Sequence, residues 1–210
     1  MEDFENYNLE DEEEDKQGAA EPSVTLWRLL PQIMITPSSG WERAKNVGPP
    51  PELAVVRFLL PLALISGAAV FLSLFYPHYA LSMGGESVFA VLLVSGVIQF
   101  CSFFIGYFLA LVLAKVLLPK NAKFLISSPF GKLITLVGVA TLALFHILYV
   151  ALPMFDFFLD FLPLWTIFII YSGLQKVALP SDKSILTVVV MCLVVIGTPT
   201  VIAWFLTLFT

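Results

Sequence analysis

The sequence predicts an all-α integral membrane protein, a bundle of five transmembrane helices, and three observations carry that prediction. Of 210 residues, 59% are hydrophobic and only 13% are charged, with a mean hydropathy of +0.91. Soluble domains carry about a quarter charged residues. Five apolar segments, near 53–76, 87–116, 132–152, 155–176 and 184–208, each reach the ~20 residues that a helix needs to cross ~30 Å of hydrocarbon. Open strands are excluded, because lipid offers their backbone no hydrogen-bond partners. Finally, Lys and Arg fall on one side of that five-span count.

Residues 1–21, MEDFENYNLEDEEEDKQGAAE, hold ten Asp/Glu against one Lys, a net charge of −9. They have too little apolar surface to offset the entropy of ordering and are expected to be a disordered acidic tail. Their acidic start also lacks the basic and apolar regions of a signal peptide. The remaining chain is slightly basic, with ten Lys/Arg against six Asp/Glu. Residues 22–51 form a second unit. Trp27, Leu30, Ile33 and Met34 recur at helical spacing, with Pro31 expected to kink or interrupt them. Ser38 or Ser39 can cap a second short helix carrying Trp41, Glu42, Arg43 and Lys45. Tryptophans beside basic residues point to an amphipathic element on the membrane surface; a linker with two incidental tryptophans is the alternative. Pro49, Pro50 and Pro51 end this unit, and residues 52–210 make up the five-span domain.

Within that domain the weakest separation lies between the third and fourth spans. There LPMFDFFLDFLP offers only a tight turn around Pro153 and Asp156. With the amino terminus in the cytoplasm, all eleven Lys and Arg lie on the cytoplasmic side or at its boundary. The opposite side has His78, Glu86, Asp156 and Asp160. Such asymmetry is what the positive-inside rule requires, and a four- or six-span count would break it. The expected orientation is amino terminus inside, carboxyl terminus outside. Lys176 and Lys183 then keep the short turn between the last two spans in the cytoplasm.

That turn also carries a family resemblance. An apolar helix ending in YSGL, a P-x-D-K turn and an apolar helix starting SILTVVVMCLVVI resemble the Yip (Ypt/Rab-interacting protein) membrane-domain family. The residues concerned are Tyr171, Gly173, Leu174, Pro180 and Lys183. ITPSSGWERA looks like the surface element before the family's first span, and ISGAAVF like its small-residue patch. Gln175 departs from the pattern, since proline or another helix-ending residue is expected after Gly-Leu. The resemblance implies a non-enzymatic protein acting through protein or lipid partners at its cytoplasmic face, in a membrane-organising or trafficking-like role. A prokaryotic plasma-membrane member is expected; in a eukaryotic Golgi or endoplasmic reticulum member, a small GTPase would be the partner.

Other chemistry is sparse. Asp156 and Asp160 stand at i and i+4, where a helix would place both carboxylates on one face. His146 and Gln99 are lone polar residues inside spans, best suited to hydrogen bonds between helices. If Gln99, His146 and Asp160 faced one cavity, a polar path would follow, and a small transporter or ion-conducting protein is therefore the alternative function. Ser102, Gly106, Ala110 and Ala114 repeat every four residues and read as a packing seam, of the bundle or of a homo-oligomer. Lys115, Lys120, Lys123 and Lys132 mark topology or attract anionic lipid. Cys101 and Cys192 lie in apolar runs without redox or metal spacing. No phosphate loop, nucleophile elbow or nucleic-acid motif occurs, so neither catalysis, a cofactor nor a metal is expected.

Overall fold

A computed structural model describes residues 26–75, 88–177 and 184–209, which are helical with short connections and no strand among them. Five helices are long and apolar enough to cross a membrane: Pro51–Ser73, Val88–Leu117, Pro129–Ala151, Phe157–Leu174 and Ile185–Thr207, here spans 1 to 5. The chain is a multi-pass membrane protein. Its outward side chains are as apolar as its core, with Val112, Leu193, Val201 and Phe205 all more than half exposed. Only a hydrocarbon solvent makes such a surface stable. The acidic stretch 1–21, His78, Glu86, Pro180 and Lys183 lie outside the described residues.

Span 3 is the central helix. Ser128 caps it by accepting from the Gly131 N–H at 3.0 Å, with Pro129 in the first turn. Leu136, Val137, Val139, Ala140 and Ala143 are all fully buried along it. A Cβ at Gly138 would sit 2.7 Å from Val195 Cγ1 of span 5. Spans 1 and 2 meet backbone to backbone: a Cβ at Gly67 would lie 2.6 Å from the Gly96 oxygen, and one at Gly96 2.8 Å from the Gly67 oxygen. Without a hydrophobic drive in lipid, this close approach is how helices gain dispersion contact. Span 1 carries a π turn at Val55–Leu59, where the Leu60 N–H reaches back to the Val55 carbonyl. Pro61 follows, and the wider turn absorbs the hydrogen bond that proline cannot make.

Before span 1, the chain forms two helices, α1 (Leu26–Ile35) and α2 (Pro37–Val47). Pro31 lies inside α1 without ending it. The break comes at Thr36, φ −130 and ψ 73, because the following Pro37 disfavours helical geometry there. Thr36 is therefore the N-cap, and Ser38 and Ser39, expected as caps, fall in the first turn instead. A Cβ at Gly40 would lie 2.7 Å from Ile33 Cα, so α1 and α2 touch through their backbones.

The helix pair is built into the bundle. Trp41 is fully buried, its Nε1–H donating to the Ile169 carbonyl of span 4 at 2.9 Å. Trp165 Nε1–H donates to the Met34 carbonyl at 3.0 Å, and Lys45 Nζ to the Lys176 carbonyl at 3.1 Å. From Trp165 to Lys176 is about 16 Å of helix at ~1.5 Å per residue. The segment thus flanks span 4 over much of its length instead of lying across its end. Trp41 is packed against the protein on all sides. Its indole N–H finds an acceptor inside the protein, which a headgroup layer would otherwise have to supply. Trp27 stays half-exposed, its ring edge-on to Phe58 at 4.7 Å.

Candidate functional site

Spans 2, 3 and 5 and the start of span 4 line an open pocket of about 350 Å³, at whose rim Tyr149, Asp160 and Thr200 are exposed. Its polar lining is Gln99 from span 2, His146 and Tyr149 from span 3, Asp160 near the start of span 4, and Thr200 from span 5. The structure therefore brings together the three polar residues whose shared cavity the sequence left open. Phe103, Leu142, Phe145, Leu159 and Ile196 supply the apolar wall.

Prolines shape this site. Pro163 occupies the first turn of helix Leu162–Leu174, and with no N–H it cannot continue the preceding helix Asp156–Leu159. Asp160 is left in the turn between them and lines the cavity. The continuous helical face expected for Asp156 and Asp160 is consequently broken; the Asp156 side chain lies outside the described parts. In span 5, Pro199 cannot donate to the Val195 carbonyl. Thr198 Oγ1 donates to the Val194 carbonyl, and Thr200 Oγ1 to the Ile196 carbonyl at 3.2 Å, on either side of it. Pro199 packs against Gly106, where an added Cβ would lie 3.3 Å from its Cγ.

His146 Nε2 is buried and has no hydrogen-bond partner among the described residues. Its ring lies 6.0 Å from that of Phe103. Thr141, on the same helix, donates to the Val137 carbonyl at 2.8 Å. A buried polar atom left unpaired is expensive. Among the described residues, no group of three or more His, Cys, Asp or Glu could hold a metal ion. Thr200, Pro199 and Pro163 were not singled out from sequence; for the first two, the TPT triplet inside an apolar run was the available signal.

The remaining singled-out residues have structural places. Ser102, Ala110 and Ala114 are buried, and Gly106 receives Pro199, so the small-residue seam is used inside one chain. Ser102 Oγ donates to the Ile98 carbonyl of its own helix at 2.7 Å. Tyr171 is exposed, Leu174 is buried, and Gln175 ends the span-4 helix. Gly173 holds the Trp41 indole: a Cβ there would sit 2.9 Å from Trp41 Cε2. At the same end of the bundle, Lys176 pairs with Glu42 at 3.6 Å and Lys132 with Glu52 at 3.5 Å. Compared with known proteins, the chain matches no family model, no curated protein and no solved structure.

Proposed function

We propose that this protein is a non-enzymatic, Yip-type membrane protein that engages protein or lipid partners through its cytoplasmic face, in a prokaryotic plasma membrane. One observation supports the reading above others. The two stretches that carry the resemblance, ITPSSGWERA and YSGL, are far apart in sequence yet pack on each other through Trp41 and Gly173. Residues that identify a family are expected to meet in this way when they hold its shared core. The exposed cations Arg28, Lys115 and Lys120 belong to the face assigned to the cytoplasm by the positive-inside rule. They suit acidic partners or anionic headgroups.

Crosslinking and pull-down of the full chain, with and without residues 1–21, tests this reading. Because residues 26–47 are part of the bundle, charge reversals at Arg28 and Lys120 probe the face better than a deletion would. A specific partner or anionic-lipid preference that weakens in Arg28→Glu/Lys120→Glu is the expected result. Failure to recover either from any form would overturn it.

A further inference from the structure

We infer that the cavity between spans 2, 3, 4 and 5 is a closed-ended binding pocket for a lipophilic organic monocation, an ammonium carrying an apolar body. Three features define the class. Among the described residues, the only carboxylate in the lining is that of Asp160, and no Lys or Arg lines it. An anion would be repelled there, whereas an ammonium gains a charge-assisted hydrogen bond. The same lining includes Phe103, Phe145 and Tyr149, and aromatic ring faces attract cations. The remaining wall is aliphatic, and about 350 Å³ suits a small drug-sized molecule.

The pocket is not a through path. Toward the end bearing Lys132 and Lys176, the interior is filled by Val137 and Ala140 of span 3, Ile170 of span 4, and Met191 and Val195 of span 5. All are fully buried and apolar, which disfavours a continuous hydrated route toward that end. A metal ion is disfavoured by the lack of a third charged or imidazole ligand among the described residues. This inference goes beyond the proposed cytoplasmic role, since it concerns the opposite half of the bundle and stands without it.

The test uses the full chain in phosphatidylcholine nanodiscs, with empty nanodiscs as the blank for partitioning. Three probes of similar shape are titrated by thermal shift: 4-phenylbutylamine, 4-phenylbutanol and 4-phenylbutyrate. Saturable stabilisation by the amine alone is expected. Asp160→Asn, which keeps the side-chain shape, should raise the amine Kd at least ~10-fold, as loss of a hydrogen bond to a charged group does. Gln99→Leu provides a second variant should Asp160→Asn lower the unliganded Tm, and it should also weaken the amine. Glu42→Gln, at the far end, should leave the Kd unchanged. Equal binding of amine and alcohol, no binding by any probe, or an amine Kd indifferent to both Asp160→Asn and Gln99→Leu would each overturn the assignment. Proton or potassium flux in liposomes that Asp160→Asn abolishes would overturn the closed end.

Discussion

Gly173→Ala should unseat the amino-terminal helix pair, and the size of the effect follows from geometry. The added methyl would lie 2.9 Å from Trp41 Cε2, 3.1 Å from Trp41 Nε1 and 3.1 Å from Ile134 Cγ1. Carbon contacts prefer ~3.5–4.0 Å, so the indole must retreat by about half an ångström or more. That retreat also stretches the 2.9 Å bond to the Ile169 carbonyl. Overpacking of this kind costs about 1–3 kcal/mol. Trp41→Ala alone removes the ring and its hydrogen bond, for about 3–5 kcal/mol. In the double variant the methyl has lost the atoms it collides with, so its own penalty should shrink by at least ~1 kcal/mol. Unfolding of the four proteins in mixed detergent–SDS micelles gives the cycle. Penalties that add within about 0.5 kcal/mol would refute the lock between Trp41 and Gly173.

Further outcomes follow from other contacts. Gly67→Val and Gly96→Val should each separate spans 1 and 2 and sharply lower Tm in detergent, because an added Cβ would lie 2.6 or 2.8 Å from the opposing backbone oxygen. Gly197→Ala, with nothing within 4 Å of the new Cβ, should leave stability unchanged or raise it by up to the ~1 kcal/mol that alanine gains over glycine in a helix. Glu42→Gln breaks an ion pair whose Glu42 side chain is 70% exposed; its effect on unfolding should stay below about 1 kcal/mol. For orientation, single cysteines at Met154 and Lys120 in a cysteine-free background should respond oppositely to an impermeant thiol reagent. Met154→Cys should label on intact cells and Lys120→Cys only after permeabilisation; the reverse pattern would refute the inward amino terminus.

Hydropathy made the five spans readable because lipid imposes length and apolarity on each helix independently of its neighbours. Their ends agree with the structure to within several residues, and the turn expected near Pro153 is present as a short 3-10 turn, Pro153–Phe155. The place of Trp41 was not readable in this way. A tryptophan beside Arg and Lys fits a headgroup layer, and only a glycine 132 positions later reveals a slot for it. The polar residues of the cavity were visible by type, since each is out of place in an apolar run. Their convergence depends on how four helices rotate about their axes, which uniformly apolar spans leave unmarked. Asp160 shows the difference: the i, i+4 spacing from Asp156 favoured one helix, but Pro163 ended it between them.

The bond between Trp41 and Ile169 joins positions 128 residues apart, which has a consequence for how the protein is made. At synthesis rates of ~5–20 residues per second, roughly 6–25 s pass between the appearance of the indole and that of its acceptor. During that interval α1 and α2 have no span 4 to flank, and the side of Trp41 that ends up buried faces the membrane surface or whatever protein is near. Insertion of spans 1 to 3 proceeds meanwhile without them. Docking of α1 and α2 therefore waits for span 4, and any factor that holds α2 early would delay it without touching a single span.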